Sequence, residues 1–148
     1  MSNENLEKVK LFHVATNSPV LPRPGIPPYD RIRLRAKLVI EEALEVVGAL
    51  LGIPEEQTKV FVAKNCQAID MELEPKPDLK KVAKELADLE YVTAGTNLEF
   101  GLPADDIFQA VHLNNMTKAT GPVREDGKRL KPPGYVPVDL GSILDEYM

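Results

Sequence analysis

The residues of this chain best suited to chemistry are two short groups of carboxylates, each within a stretch of helical periodicity. The first group is Glu41, Glu42 and Glu45, and the second is Glu85 with Asp88. Side chains three positions apart on a helix project from neighbouring points of its surface, so each group presents a pair of carboxylates together. If the two helices pack against each other, four or five carboxylates converge at one site.

Clustered carboxylates need cations or protons among them. Two like charges about 4 Å apart repel by about 4 kcal/mol at an effective dielectric constant of about 20, so such a group cannot stay fully ionised alone. Oxygen ligands with neither Cys nor His among them favour Mg²⁺ or Mn²⁺ over zinc. A solvated acidic helix face is the simpler explanation for either group by itself. Because both groups are present, with a spacing found in the metal sites of helical bundles, metal binding and a solvated acidic face are equally good explanations.

Length and composition indicate one domain over residues 1–148, without a disulfide framework, because the single Cys66 cannot pair within the chain. No apolar run approaches the length of a membrane span, and residues 1–10 do not resemble a secretory leader. We therefore expect a soluble cytoplasmic protein with no membrane partner. The formal net charge of −5 also argues against nucleic acid as a partner.

Apolar periodicity predicts an all-α fold, a bundle of about five helices, and no stretch of useful length alternates as a strand does. The predicted helices cover residues 3–15, 29–51, 55–73, 79–100 and 104–119, with a short last helix within 139–147. The wide apolar face of the second helix comprises Ile32, Ala36, Val39, Ile40, Ala43, Val46, Val47 and Leu50. Leu34 and Leu38 lie opposite, in the stripe of Glu41 and Glu45. A helix that is apolar on two sides is usually covered on two sides, which favours a subunit contact.

Polar residues continue the apolar stripe of the fifth helix, where Asn115 and Lys118 follow Val111. Beyond them, residues 121–137 form a basic tail rich in proline and glycine that carries Lys128 and Lys131. An ordinary helix end and a flexible basic loop are the alternatives to a binding site for an anion.

Four blocks of sequence, in the order EEALE, KELADLEYVTAG, HLNNMTK and DGKRLKPPGY, resemble the MazG-like family of all-α nucleoside triphosphate pyrophosphohydrolases. The family signature is Glu-x-x-Glu followed downstream by Glu-x-x-Asp. Here it is matched by Glu42, Glu45, Glu85 and Asp88. The resemblance covers roughly residues 31–137, and the tail pattern looks most like the branch that acts on dUTP and related deoxynucleotides.

The resemblance implies hydrolysis of a nucleoside triphosphate between the α- and β-phosphates, giving a monophosphate and pyrophosphate, as in nucleotide-pool house-cleaning. Mg²⁺, or Mn²⁺, would be held by the four signature carboxylates, while Glu41 would hold a further metal or orient the attacking water. The substrate-binding residues would be Asn115, Lys118, Lys128 and Lys131, with Tyr135 as a ring on which a base can stack. The family also implies a four-helix core completed by oligomerisation, as a homodimer or homotetramer.

Three other functions remain open at this point. A phosphoribosyl-ATP pyrophosphohydrolase would share the carboxylates but need a different base and ribose pocket. A non-catalytic helical interaction domain would bind metal weakly or not at all. A ferritin-like di-iron protein is disfavoured, because neither His13 nor His112 stands three residues after a glutamate.

Overall fold

A computed structural model describes residues 3–71 and 74–148, and within them the chain is helical without a strand. The described helices are α1 (Asn3–Ala15), α2 (Tyr29–Leu51), α3 (Glu55–Asp70), α4 (Leu79–Glu99), α5 (Ala104–Met116) and α6 (Gly141–Asp145). A 3₁₀ turn, Thr117–Thr120, continues α5. The predicted all-α fold is confirmed, and Leu73, placed in the third helix, lies outside the described residues.

Local chemistry explains where the two carboxylate-bearing helices begin and end. At the end of α2, Gly52 adopts the left-handed conformation (φ 65°), and the N–H of Ile53 donates to the carbonyl of Gly48. At the start of α4, the Asp78 carboxylate accepts hydrogen bonds from the backbone N–H groups of Lys80 at 3.0 Å and Lys81 at 3.3 Å. These ends fix which residues of each helix share a face.

The described chain divides into two compact units. The first holds α1, α4, α5, α6 and the tail except residues 125–128, and the second holds α2, α3 and residues 125–128. Carboxylates of the first predicted group therefore lie in the second unit, and Glu85 and Asp88 lie in the first. The single domain over residues 1–148 stays a prediction.

In the second unit, α3 packs on the stripe of α2 that carries Leu34 and Glu41. The buried residues of α2 are Leu34, Lys37, Glu41 and Gly48. By contrast, the apolar face predicted to be covered is open in the single chain, where Val46 and Val47 are each 46% exposed. The stripe with two charged residues is buried because α3 and the loop 125–128 supply the opposite charges described below.

Gly48 marks the closest approach of α2 to α3. A Cβ atom at this position would lie 2.5 Å from Oγ1 and 3.1 Å from Cγ2 of the buried Thr58. The absence of a side chain at Gly48 therefore sets how tightly the two helices pack.

We expect Gly48→Ala to lower the free energy of unfolding by about 1–2 kcal/mol, because crowding outweighs the gain in helix propensity. Urea denaturation followed by circular dichroism measures this change. Adding Thr58→Ala should recover part of the loss, since it removes both crowded atoms. As a control, Gly95→Ala in α4 should not destabilise, because nothing lies within 4 Å of a Cβ there. Equal effects at the two glycines would contradict close packing at Gly48.

In the first unit, α1 packs against α5 and the tail turns back on itself. Val123 and Arg129 form an antiparallel bridge, and the N–H of Leu130 donates to the carbonyl of Pro122 at 2.8 Å. The Arg129 guanidinium donates to the carbonyls of Gly121 at 2.8 Å and Thr16 at 3.2 Å. We call residues 121–130 the tail hairpin; its arms, residues 121–124 and 129–130, belong to the first unit, and residues 125–128 belong to the second.

Helix α4 buries none of its side chains. Its predicted core face is exposed in the single chain, with Leu86 53% exposed and Leu89 38% exposed. Among the described residues, no helix is long and apolar enough to cross a membrane.

Candidate active site

Glu41 is the most enclosed of the predicted site carboxylates. It is 6% exposed, and its Oε2 accepts a hydrogen bond from Lys128 Nζ at 2.5 Å. Its Oε1 lies 3.9 Å from the thiol Sγ of Cys66, which comes from α3. A buried carboxylate stays ionised only with such compensation, so the structure pairs two predicted functional residues that lie 87 positions apart.

A second ion pair lies one helical turn before Glu41. Lys37 Nζ lies 2.9 Å from Oδ1 of Asp70 on α3 and 3.0 Å from Oδ2 of Asp126 in the loop. The hydrogen bond to Asp70 raises the pKa of Lys37 most; burial opposes this, and Asp126 raises the pKa further. Gly127 has a φ of 95°, a backbone conformation that glycine adopts readily, and the chain turns there directly over Leu34. A Cβ atom at Gly127 would lie 3.2 Å from the Leu34 side chain. Residues 125–128 are therefore fixed on α2 and α3, and we call them the clasp.

We expect Lys37→Met to lower the free energy of unfolding by about 1–2 kcal/mol, because Asp126 loses its buried partner while Asp70 stays largely solvated. Lys59→Met, which breaks an exposed pair on α3, should have a much smaller effect. Since folding raises the pKa of Lys37 above its ordinary 10.5, its contribution is complete below that pH and is lost as pH rises through the higher folded value. Urea denaturation at pH 7 and at alkaline pH checks both points. Equal losses of unfolding free energy in the two variants would contradict the conclusion that Lys37 holds the clasp on α2.

Glu42 and Glu45 lie on the exposed surface of α2, beside the buried Glu41. Glu42, one position along from Glu41, turns away from the stripe that faces α3, whereas Glu45 lies one helical turn further along that stripe and is exposed there. The carboxylates of this group therefore differ in environment, with Glu41 neutralised inside the unit and Glu42 and Glu45 presented outward.

Glu85 and Asp88 lie together on α4 with side chains 57% and 56% exposed. One cation contacts both of them: Lys84 Nζ lies 3.4 Å from Glu85 Oε1 and 2.5 Å from Asp88 Oδ2. The two carboxylates are therefore close enough on α4 to share one ammonium group. The ligand chemistry also suits the oxygen-preferring Mg²⁺.

Three predicted substrate-binding residues meet in the first unit. The ammonium groups of Lys118 and Lys131 lie 5.4 Å and 5.1 Å from the centroid of the Tyr135 ring. Tyr135 donates its hydroxyl to Asn114 Oδ1 at 2.5 Å, and Asn114 Nδ2 donates to the carbonyl of Val136 at 2.7 Å. We call Lys118, Lys131 and Tyr135 the lysine–tyrosine cluster. In the described part of the chain, neither ammonium has a carboxylate at ion-pair distance.

A groove of about 720 Å³ lies between α5 and residues 132–139. Its wall is mainly apolar and includes Asn114, Thr117 and Tyr135. Tyr135 is thus common to the groove and to the lysine–tyrosine cluster, which places a flat ring and two positive charges next to an open, mainly apolar space. Asn115 lies half-buried on α5, one residue along from Asn114.

Two residues that the sequence analysis grouped together belong to different units and have different partners. Lys128 lies on Glu41 in the second unit, and Lys131 belongs to the lysine–tyrosine cluster in the first. Within the described residues, no three Asp, Glu, His or Cys side chains are arranged to hold a metal ion. The convergence of the α2 and α4 carboxylates therefore stays a prediction.

Sequence analysis missed the residues that hold these groups in place: Lys37, Asp70, Asp126, Asn114 and Arg129. One available signal was the four-residue spacing of Lys37 and Glu41, which puts both on one helix face. Another was the Asp126-Gly127 turn itself. Asn114 and Arg129 bond to backbone carbonyls, and such contacts leave no pattern in a sequence.

A comparison with the sequence models of protein families shows to which family the chain belongs. The sequence model of one family, described as phosphoribosyl-ATP pyrophosphohydrolase, matches residues 9–115. The chain belongs to the phosphoribosyl-ATP pyrophosphohydrolase family. This family shares the MazG-like fold, so the resemblance drawn from the four sequence blocks is confirmed, and the protein is a pyrophosphohydrolase in the general sense.

A solved structure supports the same fold for this member of the phosphoribosyl-ATP pyrophosphohydrolase family. The chain is similar to a protein from Exiguobacterium sp. 255-15 described as a "putative NTP pyrophosphohydrolase", with 25% sequence identity and a TM-score of 0.67. The match covers 100% of both chains. No curated protein matches the sequence at a significant level.

Proposed function

We propose that the protein hydrolyses nucleoside triphosphates, dUTP and related deoxynucleotides foremost, to the monophosphate and pyrophosphate. The observation that carries this proposal is the lysine–tyrosine cluster: two ammonium groups with no carboxylate at ion-pair distance among residues 3–71 and 74–148, beside a ring that also lines a groove. The negative phosphates of a triphosphate can pair with the ammonium groups of the two lysines. The nucleoside part of the triphosphate suits the mainly apolar groove.

The position of this cluster favours a nucleoside triphosphate over phosphoribosyl-ATP. The family match ends at residue 115, whereas Lys118, Lys131 and Tyr135 all lie beyond it. The Exiguobacterium protein, described as a "putative NTP pyrophosphohydrolase", matches over the whole chain. The tail is therefore the part of the protein that we expect to set substrate choice.

We further propose Mg²⁺ as the cofactor, with Mn²⁺ as a substitute, held by Glu42, Glu45, Glu85 and Asp88. The bridging of Glu85 and Asp88 by the single cation of Lys84 supports the fit. Bound Mg²⁺ supplies neutralisation of the phosphates and lowers the pKa of an attacking water.

The chain's own residues have distinct tasks in the proposed reaction. Water forms a bond to the α-phosphorus and the bond to the bridging oxygen of the β-phosphate breaks, while a carboxylate accepts the proton released from the water. Glu41 is the candidate for this task or for holding a further metal. Lys118 and Lys131 stabilise the charge that develops on the departing pyrophosphate, and Asn115 and Tyr135 position the nucleoside.

A screen of all common ribo- and deoxynucleoside triphosphates for pyrophosphate release, with phosphoribosyl-ATP as competitor, tests the proposal. We expect turnover of triphosphates and weak competition by phosphoribosyl-ATP. Preferential cleavage of phosphoribosyl-ATP would overturn the substrate proposal while keeping the family assignment. If calorimetry shows no binding of Mg²⁺ or of a non-hydrolysable dUTP analogue, a non-catalytic interaction domain is the better reading.

We also propose that the active protein is a homodimer or homotetramer. The only apolar side chains buried within the described residues are Leu34 and Cys66, whereas Val46 and Val47 on α2 and Leu86 on α4 stay open. Such faces are covered in stable proteins, and a second copy supplies matching helices. Light scattering should give two or four times the chain mass of 16.4 kDa. A monomeric mass at full activity would contradict this proposal.

A further inference from the structure

Asn114 uses both ends of its side-chain amide to join α5 to residues 132–139, within the first unit. Its Oδ1 accepts a hydrogen bond from the hydroxyl of Tyr135 at 2.5 Å, and its Nδ2 donates to the carbonyl of Val136 at 2.7 Å. Because a backbone carbonyl only accepts hydrogen bonds, the amide nitrogen must face Val136, which leaves the amide oxygen for the tyrosine hydroxyl. One helical side chain therefore holds two consecutive residues of the segment.

The position of the Tyr135 ring against α5 depends chiefly on these two bonds. They are the hydrogen bonds that join α5 to residues 132–139, both of which the structure describes throughout. The N–H of Tyr135 donates within the segment, to the carbonyl of Pro132 at 3.2 Å. Three of the eight residues of this segment are prolines, which have no N–H to donate to the helix.

Tyr135 links the lysine–tyrosine cluster to the groove, so the placement of its ring affects both. The ring lines the groove, and the ammonium groups of Lys118 and Lys131 lie 5.4 Å and 5.1 Å from its centroid. A ring that is already held in place at its hydroxyl end loses less conformational freedom when a ligand binds against it. Asn114 thus prepares an aromatic wall of the groove before any ligand arrives.

We propose that Asn114 is a positioning residue of the substrate site, which holds the Tyr135 ring as the wall against which the nucleoside part of the substrate binds. This inference rests on the proposed function. Asn114 acts through Tyr135 and takes no part in bond breaking. Its removal should therefore weaken binding of the nucleoside, while the chemical step and the binding of phosphates by the lysines stay largely unchanged.

The first test is steady-state kinetics with dUTP, or with whichever triphosphate the wild type cleaves best, and with inorganic tripolyphosphate as an inhibitor that lacks a nucleoside. We expect Asn114→Leu to raise KM about tenfold, with kcat changed less than about twofold and the inhibition constant of tripolyphosphate changed less than about threefold. Tyr135→Phe, which keeps the ring and loses the hydroxyl, should raise KM by a smaller factor.

The chain offers a matched control for this variant. Gln109→Leu also removes a side-chain amide from α5, but from an exposed position, and it should leave KM at the wild-type value. Asn114→Leu is expected to fold, because Val136 is exposed and its carbonyl can bind water once the amide is gone. Circular dichroism of both variants checks this point.

A second comparison shows whether Asn114 acts through Tyr135. In a Tyr135→Ala background the ring is absent, so adding Asn114→Leu should not raise KM further. A further rise of about tenfold in this background would overturn the inference, because it would show that Asn114 acts on the substrate by itself.

The placement of the ring can also be measured without substrate. The ring current of Tyr135 shifts the NMR signals of the ε-methylene protons of Lys118 and Lys131, which lie beside it. We expect Asn114→Leu to move both signals toward the ordinary lysine position, which they should reach in Tyr135→Ala, and Gln109→Leu to leave them unchanged. Unmoved signals in a folded Asn114→Leu would overturn the inference while leaving the proposed function intact.

The kinetic outcomes separate this inference from the proposed function. Equal weakening of dUTP and tripolyphosphate binding in Asn114→Leu, or a lower kcat at unchanged KM, would overturn the role of Asn114 in a protein that still cleaves triphosphates. If the wild type neither binds nor cleaves any nucleoside triphosphate, the proposed function fails, and the inference fails with it even where the lysine signals move.

Discussion

Replacing Asp88 with alanine should reduce Mg²⁺-dependent pyrophosphate release by about 1,000-fold or more, because each ligand of a catalytic metal supports charge neutralisation and activation of water at once. The same loss is expected for Glu45→Ala on α2. Both side chains are exposed and the Lys84 pair at Asp88 is a surface contact, so the folded structure should be almost unaffected.

Pyrophosphate release at saturating Mg²⁺ and triphosphate, with circular dichroism of each variant, makes this comparison. Glu99→Ala is the matched control, because it removes an exposed carboxylate from the last position of the same helix α4. We expect wild-type turnover from the control. Activity near the wild-type level in Asp88→Ala or Glu45→Ala would refute the assignment of these residues as ligands.

The second large effect is expected at Gly121, where the tail hairpin begins. A Cβ atom there would lie 1.9 Å from the carbonyl oxygen of Leu130 and 3.1 Å from the backbone nitrogen of Pro132. Unlike the side chain that faces Gly48, this neighbour is backbone and cannot rotate away. Gly121→Ala must therefore move residues 130–132, and with them the hydrogen bond from Leu130 to Pro122.

We expect Gly121→Ala to lower the free energy of unfolding by about 3 kcal/mol, at the upper end for overpacking, and to reduce turnover more than it weakens metal binding. The reason is that Lys131 lies within the displaced segment and Tyr135 three residues after it, whereas the carboxylates lie on α2 and α4. Thermal denaturation, triphosphate KM and Mn²⁺ affinity separate the two effects. Gly95→Ala serves again as the control. A Gly121→Ala variant with wild-type stability and KM would contradict an ordered tail that forms part of the substrate site.

The helices could be read from the sequence because local signals mark them. Proline and glycine stand at most of their boundaries, and α1 and α2 begin and end where apolar periodicity predicts. Periodicity predicts a second covered side of α2, with Leu34 in the stripe of Glu41, but it does not predict burial of the charged residues on that stripe. Burial of Lys37 and Glu41 depends on Asp70, Asp126 and Lys128, which lie far away in sequence.

In the candidate site, too, some features follow from local sequence and others depend on residues far away in the chain. Residue types and spacing select the carboxylates and the lysines as candidates, and their assignment to an active site stays a prediction. What each lysine contacts depends on the tail hairpin, so Lys128 and Lys131, three residues apart, belong to different groups. The anchors Asn114 and Arg129 bind backbone carbonyls, which any sequence possesses.

The most direct test of the account is a double-mutant cycle on Mn²⁺ affinity with Glu45→Ala, Asp88→Ala and the double variant, in the assembled protein without nucleotide. If carboxylates of α2 and α4 hold one metal centre, each single variant should lose most of the binding and the double variant should lose little more. Losses that simply add, or a single variant that binds Mn²⁺ as the wild type does, would show that the two pairs act apart and would contradict the shared metal site.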